Sequence, residues 1–127
     1  MDILIESTKY FEQDLDQLSQ DNRKAVIQII NDFANLFPDN DSSAYKKLDQ
    51  PSVPLDLNGY DSSLYVLRAL EQLRIILTVD EDPIFDQVIL NLFRVVNRES
   101  VETSYQDIAK ALYQEISHRH REPAQIS

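Results

Sequence analysis

The stretch LYVLRALEQLRIILTVDEDPIFDQVILNLFRVV, residues 64–96, decides the fold. It holds three β-branched and aliphatic runs, LYVLR (64–68), LRIILTVD (73–80) and QVILNLFRVV (87–96), separated by short polar segments. Runs of this kind so closely spaced predict strands joined as an antiparallel meander. In the middle run Leu73, Ile75, Leu77 and Val79 share one face, and Arg74, Ile76 and Thr78 share the other. Side chains alternate across a strand, so the sheet is apolar on both sides near its centre and needs cover on both.

The flanking segments can supply that cover. Ahead of the meander, Ile3, Leu4 and Ile5 read as a brief strand, followed by Ser7 and Thr8 as helix-capping residues. Phe11, Leu15 and Leu18 then fall on one narrow helical face, over about residues 9–19. Asp21 or Asn22 can cap a second helix, whose wide stripe of Val26, Ile29, Ile30, Phe33, Leu36 and Phe37 ends at Pro38. The short link makes these two helices a hairpin. Residues 38–62 hold Pro38, Pro51, Pro54, the single glycine Gly59 and many Asp, Asn and Ser residues, which predicts a long loop. After the meander, Ile108, Ala109, Leu112, Tyr113 and Ile116 repeat at helical spacing between Tyr105 and His118, and Pro123 marks a flexible tail over 119–127. The expectation is one α+β domain over residues 1–118, with a helical hairpin and a C-terminal helix packed on an antiparallel sheet.

Composition narrows the chemistry. With 127 residues the chain fits a single domain. The absence of cysteine excludes disulfides, thiolate nucleophiles and cysteine-based zinc sites. One glycine cannot build a glycine-rich phosphate loop, which excludes P-loop and Rossmann nucleotide binding. Without a charged leader, a long apolar N-terminal run or an apolar stretch of membrane-spanning length, the expected location is the cytoplasm, with no membrane partner. Acidic residues outnumber basic ones by 22 to 12, for a formal charge of −10. Such a field disfavours non-specific nucleic-acid binding.

No cofactor or metal is expected. His118 and His120 alternate sides of a helix and sit in the tail, so they cannot fix a coordination geometry. DEDPIFD, 80–86, lacks the ligand ladder and glycine of a calcium loop and reads as a solvated hairpin turn. Arg68, Arg94 and Arg98 have Glu71, Asp86 and Glu99 available as surface partners, and Tyr105 can equally be a packing tyrosine.

The element order, together with Thr8, Phe11, Leu15 and Leu18 at the start, Lys46-Lys47-Leu48 before the sheet, and Tyr65, Arg68 and Arg74 within it, resembles the RelE/ParE superfamily of type II toxin–antitoxin toxins. Arg98 and Tyr105, leading into the last helix, are similar to that family's closing segment. The resemblance covers about residues 3–116 and implies a RelE/ParE-like fold and a toxin-like role. Most concretely it implies a ribosome-dependent, metal-independent endoribonuclease acting on mRNA, with an antitoxin as partner and a possible homodimer. On that footing Arg74 would stabilise phosphorane charge, Arg98 would act as acid or clamp, and Tyr105 would orient or transfer protons. Arg68, Lys46 and Lys47 would hold RNA. Two alternatives belong to other classes: a gyrase-inhibiting toxin of the ParE branch, and a non-catalytic interaction module whose acidic surface binds a protein. The acidic balance favours the latter.

Overall fold

In a computed structural model, residues 1–38, 41–52 and 62–126 are described, with 41 and 114–126 as backbone only. The chain forms β1 (Asp2–Ser7), α1 (Lys9–Asp16), α2 (Gln20–Ala34), α3 (Asp41–Tyr45), β2 (Leu48–Asp49), β3 (Leu64–Arg68), β4 (Leu73–Asp82), β5 (Gln87–Asn97), a 3₁₀ turn (Arg98–Ser100) and α4 (Val101–Ile126). The strands form one sheet in the order β1-β5-β4-β3-β2. The expected meander is present as β3, β4 and β5, and β1 joins it parallel to β5.

Both sheet faces are covered, as the alternation in β4 requires. Leu73, Ile75, Leu77 and Val79 pack with Phe11, Val26, Ile30 and Phe33 of α1 and α2. Ile76 joins Leu64, Val66 and Val96 beneath Tyr105, Ala109 and Tyr113 of α4. Burying these side chains is the main driving force, at about 1.5–3 kcal/mol for each fully buried large apolar side chain.

Thr8 connects three elements. Its hydroxyl accepts from the Phe11 N–H as the N-cap of α1 and donates to the Phe93 carbonyl at 2.9 Å. Phe93 is the extra residue of a β-bulge, since Ile76 pairs with Arg94 while Leu77 pairs with Leu92. A bulge leaves one residue outside the ladder. Thr8 satisfies the carbonyl thereby released.

Four expectations need correction. Helix α2 is capped by Ser19, whose hydroxyl accepts from the Asn22 N–H, and not by Asp21 or Asn22. Helix α1 ends at Asp16, where the Arg23 guanidinium donates to the carbonyls of Leu15, Asp16 and Leu18. These terminal carbonyls have no intrahelical partner, so a cation beside them stops the helix cleanly. The stretch 38–62 is not all loop, because α3 buries Ala44 and places Tyr45 between Phe37 and Tyr65, with ring centroids 5.8 and 6.0 Å away. Strand β2 then pairs with β3, while 39–40 and 53–61, including Pro54 and Gly59, lie outside the described residues. Helix α4 starts at Val101, not Tyr105, and its backbone is helical to Ile126, beyond the His118 at which the periodicity ends. The side chains of His118 and His120 lie outside the described residues.

Candidate functional site

The polar linker ALEQL closes β3 onto β4 without a glycine. The Ala69 N–H donates to the Leu73 carbonyl, and the Leu73 N–H to the Leu70 carbonyl. A side chain gathers the same two carbonyls and one more: Nη1 of Arg74 donates to the carbonyls of Leu70 (3.0 Å), Leu73 (2.9 Å) and Glu71 (3.1 Å). Arg74 is therefore half-buried against the turn it follows.

Register assembles the other cations around it. Arg68 is the direct cross-strand partner of Arg74. The pairing of Leu48 with Leu67 brings Lys47 beside Arg68, and both line a cavity of about 500 Å³. Leu73 pairs with Asn97, so Arg98 follows at the same end of the sheet, where its backbone N–H donates to the Gln72 carbonyl at 2.9 Å. Lys47, Arg68, Arg74 and Arg98 thus form a row across β2, β3, β4 and the end of β5. At one strand spacing per step the row spans roughly 14 Å.

Charge is only partly compensated along this row. Arg98 lies 3.5 Å from Glu99, an exposed pair contributing ~0–1 kcal/mol. Among the described residues, Arg68, Lys46 and Lys47 have no side-chain hydrogen bond or ion pair. The cavity beside them lies between α2 and the β3–β4 turn, with Phe33, Leu36, Leu67 and Leu70 on its apolar wall and Asp32 and Glu71 also lining it.

Tyr105 does not join this row. It is 3% exposed, and its hydroxyl donates to the Leu64 carbonyl at 2.7 Å. Leu64 and Arg68 are at opposite ends of β3, four residues or roughly 13 Å apart. Burial raises the Tyr105 pKa above its ordinary value, with the nearby Ser62 hydroxyl acting against it. The phenol is a neutral interior post under α4. Tyr113 is its neighbour in that role: its hydroxyl donates to Ser62 Oγ and accepts from the Ser63 N–H.

Arg94 is structural, as an ion-paired arginine should be, but its partner is none of Glu71, Asp86 or Glu99. It grips Asp14 of α1 with two hydrogen bonds of 2.6 and 3.1 Å, and the same carboxylate accepts from the Val95 N–H at 3.0 Å. The hydrogen bond to Asp14 raises the Arg94 pKa, against the effect of burial. The cavity itself escaped the sequence pattern. Ile29, Phe33 and Leu36 were legible as part of an apolar stripe, yet nothing local to them says that the edge of the stripe is left uncovered.

Among the described residues no cluster of acidic or imidazole side chains could hold a metal ion, and no helix is long and apolar enough to cross a membrane. The fold and the row define an α+β domain with a cation-lined sheet end. No protein-family profile matches the chain, and no curated protein does. Among solved structures it is similar to a chain of the RelB-RelE antitoxin-toxin complex from Methanococcus jannaschii. The two share 26% identity over 76% of this chain and 94% of that one, with a TM-score of 0.45. The fold assignment rests on the sheet order and helix packing given above.

Proposed function

We propose that this chain is a toxin-like protein of a type II toxin–antitoxin module, and that it engages mRNA on the ribosome through the cationic end of its sheet. One observation carries this reading: Arg68 and Arg74 are direct cross-strand partners, flanked by Lys47 and Arg98, in a chain of net charge −10. Like charges directly opposite one another destabilise a sheet. Arg74 is held by carbonyls, but Arg68 and Lys47 form no ion pair among the described residues. A phosphate backbone supplies one.

In strand cleavage of this kind the ribose 2′-oxygen attacks the adjacent phosphorus, and the 5′-oxygen leaves, taking a proton from solvent water. Arg68 and Arg98 stabilise the charge that builds on the phosphoryl oxygens, and Lys46 and Lys47 hold the flanking strand. Glu71 lines the same cavity and can accept the 2′-hydroxyl proton. Arg74 keeps the turn in shape and adds its charge to the row. The antitoxin, in this reading, covers the row and supplies carboxylates to it.

A second reading is a non-catalytic interaction module, favoured by the burial of Tyr105, which leaves the row without its expected proton carrier. Controlled induction in bacteria, with primer extension on a reporter message, separates the two. The proposal expects growth arrest with cleavage of ribosome-bound message, both lost in Arg68→Glu and Glu71→Gln and both kept in Tyr105→Phe. Arrest with intact message points to a gyrase-type target. Folded wild-type protein without arrest favours the interaction module.

A further inference from the structure

The β4–β5 hairpin ends in a rigid tip that holds two large apolar side chains in water. Pro83 fixes its own φ. One Asp82 carboxylate oxygen accepts from the backbone N–H groups of Ile84 (3.0 Å) and Phe85 (3.3 Å), and the other accepts from the Gln87 amide (3.3 Å). Asp86 adopts a left-handed φ of 50°, which aspartate tolerates better than most residues, and pairs with the N-terminal amine at 3.2 Å. None of this bonding uses the side chains of Ile84 and Phe85, which are 84% and 71% exposed. Solvent contact alone gives nothing to large apolar side chains at such positions. An apolar pair on a preorganised turn, flanked by carboxylates, has the form of a binding anchor.

The chain itself carries a matching receptor. The cavity between α2 and the β3–β4 turn has an apolar wall, with Lys47 and Arg68 on its sheet side. Two acids line it as well, Asp32, which accepts from the Gln28 amide at 2.8 Å, and Glu71 of the turn, so the cavity holds two cations and two anions around its apolar wall. Tip and cavity lie at opposite ends of β4, ten residues or roughly 30 Å apart, so a tip cannot reach its own cavity.

We infer that the protein self-associates head to tail: Ile84 and Phe85 of one copy enter the cavity of the next, and the Asp82 and Asp86 carboxylates face its Lys47 and Arg68. Such a contact is heterologous, so each copy keeps a free tip or a free cavity and assembly continues past the dimer unless the rotation closes a ring. It is also small. Two anchors bury far less than the ~1,000 Å² of a stable interface, and a charge of −10 on each copy opposes it, so association is weak and concentration-dependent. Because it covers Lys47 and Arg68, association competes with anion binding at the row. The inference stands whether or not that anion is RNA.

Sedimentation equilibrium of the full chain from micromolar to millimolar concentration tests it. The wild-type average mass should rise with concentration without a plateau at dimer. Phe85→Glu, which breaks the tip, and Arg68→Glu, which breaks the receptor, should each weaken association by about tenfold or more. Both residues are exposed, and circular dichroism verifies that each variant folds. An equimolar mixture of the two variants should form a dimer and nothing larger, since only one intact tip and one intact cavity can meet. Wild-type protein that stays monomeric, variants that associate as the wild type does, or a mixture that stays monomeric would each overturn the inference.

Discussion

Arg74 and Tyr105 show how the surroundings of a side chain, and not its type, decide its duty. Both could be picked from sequence as candidates, since arginine and tyrosine are the side chains that metal-free phosphoryl chemistry uses. The structure gives Arg74 three carbonyls to hold, so Arg74→Ala should destabilise the fold by about 1 kcal/mol, as a shift in urea midpoint with unchanged slope. Loss of function in that variant therefore mixes turn repair with charge, and Arg68→Glu is the cleaner probe. Tyr105→Phe should cost about 1 kcal/mol by removing the buried hydroxyl's hydrogen bond to the Leu64 carbonyl, which keeps the Gln50 amide as a donor. The pH dependence follows from the raised pKa of Tyr105. Its neutral form is favoured in the fold, so this stabilisation is fully present below the unfolded value of 10 and is lost as pH rises through the folded one. Denaturant titrations above pH 10 should show stability falling less steeply in Tyr105→Phe than in wild type.

At the scale of elements, polar contacts fix how α1 sits on the sheet. The apolar face of α1 is narrow, and the spacing of Phe11, Leu15 and Leu18 was readable because it is local. The clamp is not local: Asp14 and Arg94 are 80 residues apart in sequence. Asp14 serves both the Arg94 guanidinium and the Val95 N–H, whereas Arg94 serves Asp14 alone. Asp14→Ala should therefore cost more, about 2 kcal/mol against about 1 for Arg94→Ala, with the solvent-exposed part of the arginine limiting the latter. A double-mutant cycle by urea unfolding measures their coupling. Thr8→Val removes both the helix cap and the partner of the bulge carbonyl, for about 1–2 kcal/mol. Of these devices, the cap was visible in sequence as a Ser-Thr pair before a helical stripe; the bulge was not, because its signal is a one-residue slip between strands that periodicity cannot register.

For the whole molecule, the sign of the net charge and the sign of the site disagree, and salt dependence measures which governs binding. If the row meets a single-stranded RNA, log affinity should fall against log salt with a slope of roughly −2 to −3 for three to four phosphates, and Arg68→Ala should flatten it by ~0.7. Fluorescence anisotropy with a short labelled RNA reads both. A slope near zero would assign the row to another partner. The sequence by itself determined the three-stranded meander, the two-sided apolar character of β4, the helical hairpin and the closing helix, because hydrophobic periodicity and capping act over a few residues. It also determined which cations were worth following. Only the tertiary structure decided that Lys47, Arg68, Arg74 and Arg98 share one end of the sheet, that Tyr105 is interior, and that β1 lies parallel to β5. These are matters of register and packing between segments far apart in the chain, set by which faces bury together and which backbone groups find partners.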